Sequence, residues 1–396
     1  MIRPEHFREP LQPTPFTNRI AEGNPRQSWM AWAGAFSATV LDSVAQEYFA
    51  IRNQTTVYDI SPLHKYRIAG PEAEAFCNRL VTRDLRRIAP GRVAYVIWCD
   101  DAGKVIEDGT LFCFAAEEFR LCAQEPQLSW LEDSAVGFKV RIEDASTDIA
   151  GLALQGPTSC AVLKALGLPR IEHLVPFAIA MHEIAGRSLT VSRTGFTGDL
   201  GYELWMAPAD APWLWDRLFE TGRPYGIRAI GWNAIDIARI EAGFAMVGRD
   251  FLPANRVLRP RRARSPFELG FERMVDFGKG HFNGRRALLR ERQNGGGRWR
   301  LVGLDVAGNK PAQNALVYRG KREVGQVTSA VWSPTAKKNI ALATIEREAA
   351  AGRSPLWADI YAQKELKWTR SEAACRIAQR PFWNPPRRFA VPAGEH

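Results

Sequence analysis

Ala150-Gly151-Leu152-Ala153-Leu154-Gln155-Gly156-Pro157 is a short apolar run stopped by Gly-Pro, and residues 158–166 after it carry apolar side chains at helical spacing. The stretch reads as strand, turn and helix. The same punctuation occurs once before. A β-type run over 65–69 meets Gly70-Pro71, and 71–80 reads as a helix with proline in its first turn and acids near its N-terminal end. Working outward, β-type runs cover 57–60, 93–99, 110–114 and 119–123, separated by Gly-, Pro- or Asp-bearing turns. Strand pairs mixed with single helices predict an α+β fold rather than a doubly wound sheet.

Upstream, Trp29, Trp32 and Phe36 precede a stretch over 40–52 with the spacing of an amphipathic helix. Downstream, a strand is expected over 202–206, with helices over 213–221 and 233–242. Gly295-Gly296-Gly297 reads as a linker, followed by β-type runs over 301–306, 324–329 and 340–345 that suit a small antiparallel β domain. The expected division is therefore 1–294 and 298–390.

The 396 residues are 46% hydrophobic and 24% charged, which excludes disorder over most of the chain and leaves room for two or three domains. The net charge of +10 suits nucleic acid, an acidic membrane or an anionic small ligand. The dense basic run Arg256, Arg259, Arg261, Arg262 and Arg264 lacks interleaved aromatics, so it reads as a solvated loop or a groove for an anionic tail rather than a nucleic-acid surface. Cys77, Cys99, Cys113, Cys122, Cys160 and Cys375 form neither CxxC pairs nor zinc spacing, and no metal is expected. Residues 1–17 lack an apolar signal region, and no long apolar run occurs, so a cytoplasmic protein off the membrane is expected.

Three stretches could carry chemistry. Asp101-Ala102-Gly103 is a hairpin turn, and Glu107 and Asp108 open its return strand, where adjacent residues face opposite sides and one only can enter a given cleft. Arg193-Thr194-Gly195-Phe196-Thr197-Gly198-Asp199-Leu200-Gly201-Tyr202-Glu203 has three glycines in seven residues, a bent loop that allows close backbone approach to a ligand. Glu203 then sits among aromatics. An acid there needs specific donors, such as two adjacent N–H groups of a pterin ring, or else an ion pair with Arg193. In the third stretch, 234–243, Arg239 and Glu241 read as structural, with Glu241 able to pair with an arginine. There is no HExxH, GxSxG or GxGxxG motif.

Taken in order, these pieces resemble the tetrahydrofolate-dependent aminomethyltransferase superfamily represented by the glycine cleavage T-protein. The matching segments are Tyr58-Asp59-Ile60-Ser61, Gly70-Pro71-Glu72-Ala73, Glu107-Asp108, Leu154-Gln155-Gly156-Pro157, the glycine loop with Gly201-Tyr202-Glu203, Ala238-Arg239-Ile240-Glu241-Ala242-Gly243, Ser265-Pro266-Phe267-Glu268-Leu269-Gly270, 279–284, and Val324-Gly325-Gln326-Val327-Thr328-Ser329 with 333–334 and 340–343. They span about nine-tenths of the chain. The resemblance implies a three-lobed α+β body ending in a small β-barrel, with tetrahydrofolate in a central hole. It implies Asp108 as the acid beside the reacting folate nitrogen and Glu203 as the acid holding the pterin, with Tyr202, Arg193 and Arg387 as further folate contacts. His64 and Tyr58 are candidate proton donors to the leaving group.

Departures from the T-protein pattern point to a branch. The first arginine of Ala-Arg-Asp-Ser-Leu-Arg-Leu-Glu-Ala-Gly is Ile235 here, which argues against glycine cleavage. The 29–32 tryptophans, Trp98-Cys99-Asp100 and the 282–288 run look more like the branch holding dimethylsulfoniopropionate demethylase and the aromatic O-demethylases. Lys279-Gly280-His281-Phe282 lacks the thiol of the related iron–sulfur assembly proteins. The implied activity moves a methyl group from an O- or S-methyl donor, a methoxy aromatic in the simplest case, to N5 of tetrahydrofolate. Glycine cleavage or folate binding without turnover are the alternatives. The implied partner is the small-molecule donor, without nucleic acid or membrane, in a monomer or small homo-oligomer.

Overall fold

A computed structural model describes residues 10–352 and 354–390, so the first nine residues of the 1–17 reading lie outside it. Two antiparallel-rich sheets form the body. The first has the order Ile179–Ile184, Arg187–Ser192, Gly201–Met206, Ala150–Gln155, Thr56–Asp59 and Arg228–Ala229; only the last pair is parallel. The second runs Arg92–Cys99, Val105–Ala115, Glu118–Ala123, His64–Ala69 and Arg141–Asp144. Beyond them, Trp299–Val306, Lys338–Glu346, Arg322–Ser333, Leu316–Arg319, Leu356–Lys364 and Lys367–Ala378 close into a six-stranded barrel. The α+β, three-lobed expectation holds.

Strand alternation sorts the body into layers. Leu152, Leu154, Tyr202 and Leu204 point outward, beneath the helices Ser159–Ala165 and Ala211–Gly222. On the second sheet Tyr66, Ile68, Val96 and Trp98 point outward, beneath the helix Ala73–Leu80. The opposite faces meet. Tyr58, Ala153 and Trp205 of the first sheet share one buried layer with Val93, Phe112 and Cys122 of the second. The barrel docks through Leu301, Ile340 and Leu342 against Cys99, Val105, Phe267 and Leu288.

The two Gly-Pro turns are the same device. Gly70 at φ +138° has Lys139 O where a Cβ would lie, at 2.5 Å, and Gly156 at φ +122° has Gln54 O at 2.1 Å. Any side chain would strike backbone at either turn. Three local expectations shift. The helix expected over 40–52 begins at Val44, because Ser43 caps it and the Glu47 carboxylate takes the Leu41 and Asp42 amides at 2.7 and 2.8 Å. Trp29, Trp32 and Phe36 belong to a two-stranded hairpin, Trp29–Trp32 with Ala35–Ala38. The strand expected over 110–114 extends over Val105–Ala115. All six cysteines are buried and free, and no helix among the described residues is long and apolar enough to cross a membrane.

Candidate active site between the sheets

Glu107 and Asp108 part company at the hairpin. Glu107 stands opposite Trp98, on the outer face, where it accepts the Gln124 and Glu125 amides at 2.6 and 2.9 Å and the Gln127 side-chain amide at 2.5 Å. It is a structural acid. Asp108 stands on the inner face, where Tyr95 from the neighbouring strand donates to its Oδ2 over 2.6 Å. Burial raises the Asp108 carboxyl to about 6, against the pull of the Tyr95 bond. Asp108, Gly109 and Thr110 are half-buried in mid-strand, between the buried runs 105–107 and 111–113. This half-buried stretch faces the interface between the two sheets, and the strand surfaces again only at its end, at Phe114 and Ala115.

Across that interface, Glu203 shares one register row with Ser192, Ala153 and Tyr58. Its Oε2 accepts from Thr194 Oγ1 at 2.6 Å, and Thr194 and Ser192 share a 2.7 Å hydrogen bond. Burial raises the Glu203 carboxyl, with Thr194 and Arg120 opposing the shift. One hydroxyl partner leaves most of the acceptor sites of a carboxylate free. Glu203 does not pair with Arg193.

Several expected contacts lie elsewhere. Tyr202 is fully buried on the outer face, turned away from Glu203 by the two-residue period of their strand. Arg193 donates from Nη1 to Leu174 O at 2.8 Å and from Nη2 to Ala390 O at 2.5 Å. Arg387 grips Asp199 with Nε and Nη2 at 2.5 and 2.8 Å. Both arginines thereby tie the C-terminal segment to the glycine loop. His64 stacks near Tyr66, 6.4 Å between ring centroids, on the outer face of the second sheet and so on the side away from Asp108. Tyr58 is on the inner face, its hydroxyl 2.7 Å from Ser37 Oγ and its ring 5.8 Å from that of Trp32.

The glycines of the loop make room for protein. A Cβ on Gly195 or Gly201 would meet Gln155 Oε1 at 2.1 or 2.3 Å, and one on Gly198 would meet the Ala242 methyl at 2.5 Å. Gln155 threads the loop, accepting from Thr197 Oγ1 at 2.9 Å and donating to Tyr202 O at 3.2 Å. The loop was expected to bring backbone to a ligand; instead it wraps a buried amide and so fixes where Glu203 starts. Behind it, Arg52 joins Glu241 at 2.6 Å and Asp199 at 3.2 Å, while Arg239 joins Asp250 at 2.5 Å and Ser329 of the barrel at 2.7 Å. The structural reading of Arg239 and Glu241 holds.

Sequence reasoning passed over Tyr95, Arg83, Arg87, Arg92 and Arg120. Counting back through the hairpin from Asp108 would have found Tyr95, which pairs with Thr110. A cavity of about 380 Å³ opens at Tyr95, lined by Arg83, Arg87, Arg92, Phe177 and Met274. Arg120 interrupts an apolar strand, itself a signal.

Comparison with known proteins agrees with this fold. Residues 3–279 match the GCVT N-terminal domain, and 300–383 match the glycine cleavage T-protein C-terminal barrel domain. An aminomethyltransferase of Thermoanaerobacter sp. (strain X514) is 32% identical over 321 residues, 80% of this chain and 84% of that protein. A trimethylamine-oxide aldolase of Ruegeria pomeroyi is 33% identical over 362 residues, 87% of this chain but 44% of that longer protein. The crystal structure of glycine cleavage system aminomethyltransferase T from Bartonella henselae superposes with a TM-score of 0.82 over 94% of this chain and 98% of that one, at 23% identity, which speaks for the fold. The chain belongs to the glycine cleavage T-protein family of aminomethyltransferases, enzymes of one-carbon transfer.

Proposed function

We propose that the protein is a tetrahydrofolate-dependent methyltransferase that takes a methyl group from an O- or S-methyl donor, in the simplest case a methoxy aromatic. The observation that carries this reading is the pair of inward carboxyls, Asp108 and Glu203, on facing sheets whose inner sides meet in one layer. The free acceptor sites of Glu203 suit two adjacent ring N–H groups of a pterin. The cluster Arg83, Arg87 and Arg92 beside Tyr95 suits the anionic glutamate tail of folate. Bound there, tetrahydrofolate would supply N5 as the nucleophile for the methyl group, the donor departing as a phenolate or a thioether and the N5 proton passing to that phenolate or to water.

This chain's own residues then have separable tasks. Glu203 orients the ring. Asp108, ionised at neutral pH and aimed by Tyr95, stabilises positive charge as it develops on the acceptor nitrogen. Trp205, Phe112 and Tyr58 exclude water from the inner layer and hold the reactants close. Ile235, buried in the same layer, stands where the T-protein pattern has arginine, which favours the methyl reading over glycine cleavage.

The test is incubation with tetrahydrofolate and a panel of methoxyarenes, methylated sulfonium compounds and dimethylglycine, following 5-methyl- and 5,10-methylene-tetrahydrofolate. The 5-methyl product with an O- or S-methyl donor is expected. Methylene product with aminomethyl-loaded H-protein alone would make this a glycine cleavage enzyme.

A further inference from the structure

The roles above leave Arg120 unused. It stands opposite Phe112 in register, on the inner face of the second sheet. Its guanidinium carbon is 4.3 Å from the Phe112 ring centroid, 4.7 Å from Trp205 and 5.3 Å from Phe114. The residue is 6% exposed, and neither Nε nor Nη2 has a hydrogen-bond partner among the described residues. The three rings offer the guanidinium cation–π attraction but no hydrogen-bond acceptor for Nε and Nη2. Nε and Nη2 form one edge of the fork, the edge that receives a carboxylate through two parallel hydrogen bonds.

Charge on the inner face points the same way. Lys65, fully buried, pairs in register with Cys122 two residues from Arg120. Its Nζ donates to Ser61 O at 2.7 Å, and neither cation makes an ion pair among the described residues. Glu203 is the acid that acts on the guanidinium, but it makes no ion-pair contact with Arg120 and its Oε2 is taken by Thr194. A buried guanidinium whose Nε and Nη2 meet no carboxylate is costly, so an anion from outside is the economical partner. Phe114, Phe196, Met30 and Trp32 around this layer are only half-buried, which leaves its rim open to a ligand.

We propose that Arg120 anchors a carboxylate of the methyl donor, with the donor's apolar body against Phe112, Phe114 and Trp205. The proposal rests on the methyl-transfer reading for the word donor, and its test does not need folate. Calorimetry on the full chain without folate compares 3-methoxybenzoate with 3-methoxybenzamide, and dimethylglycine with its amide. The wild type binds at least one acid about tenfold more tightly than its amide. Arg120→Gln abolishes that preference and Arg120→Lys keeps part of it, while tetrahydrofolate affinity in both variants stays within about threefold of wild type, which also shows that they fold. Equal affinities in the wild type, or no detectable binding of either acid, overturn the proposal without any variant. So does Arg120→Gln with its acid preference intact and tetrahydrofolate affinity lost, which would assign the guanidinium to the folate ring. Failure of the wild type to bind tetrahydrofolate sinks the folate reading and leaves the acid–amide comparison standing.

Discussion

Tyr95 donates its hydroxyl hydrogen to Asp108 across 2.6 Å, from one strand of a hairpin to the next. The bond holds a carboxylate at a fixed angle inside a low-dielectric layer, where a fixed charge acts most strongly on a neighbouring cation. Asp108→Asn removes the charge and keeps the shape. The expected result is a fall in kcat on the order of 100-fold with tetrahydrofolate affinity nearly unchanged, as for an interaction strongest in the transition state. Wild-type kcat should also fall as pH drops through about 6, where Asp108 takes up its proton, and the Asn variant should lack that limb. Steady-state kinetics from pH 5 to pH 8, on the order of twelve points, check both.

The same carboxyl has a cost in stability. Its folded-state value of about 6 lies above the ordinary unfolded value of roughly 3.9, so the native state binds the extra proton between the two. Stability from this group is therefore lost as pH rises through that window. Thermal unfolding should show Asp108→Asn melting above wild type at pH 7, with the gain vanishing below about pH 4.

Glu203→Gln replaces an acceptor-only group by one that presents a donor to the same ring edge. Tetrahydrofolate binding should weaken by roughly 1.5 to 3 kcal/mol. Calorimetry showing unchanged affinity would remove Glu203 from the proposed site.

Arg52 is buried between Glu241 and Asp199, and removing it leaves Glu241 without a cation and Asp199 with Arg387 alone. Arg52→Met should lower unfolding free energy by about 3 to 5 kcal/mol in urea titrations. A loss under 1 kcal/mol, roughly the value of a surface pair, would mean that Arg387 alone satisfies the cluster.

Gly201→Ala drives a methyl into the Gln155 amide, where a Cβ would lie 2.3 Å from Oε1. The loss should be suppressed in Gly201→Ala/Gln155→Ala, with a coupling energy of about 1 to 3 kcal/mol in a double-mutant cycle. Additive effects would show that the strain lies in the backbone rather than against Gln155.

Gly-Pro punctuation, strand lengths and the order of short motifs were legible in the chain itself, because turn chemistry and period-two alternation are local properties. They gave the α+β body, the barrel and the family. Alternation also required that Glu107 and Asp108 face opposite ways; which one turns inward depends on what covers the second sheet, and only the packing of Ala73–Leu80 on its outer face decides that. On the first sheet the packing of Ser159–Ala165 and Ala211–Gly222 likewise turned Tyr202 outward and Glu203 inward. Arg193 and Arg387 are expected as ligand contacts from the family resemblance, which carries no information on internal partners; those partners, Ala390 O and Asp199, are some 190 residues away along the chain. Arg120 needed the tertiary structure most. Its aromatic cage comes from one neighbouring strand of its own sheet and one strand of the other, and a guanidinium with an unpaired N–H edge is visible only once every neighbour is in place.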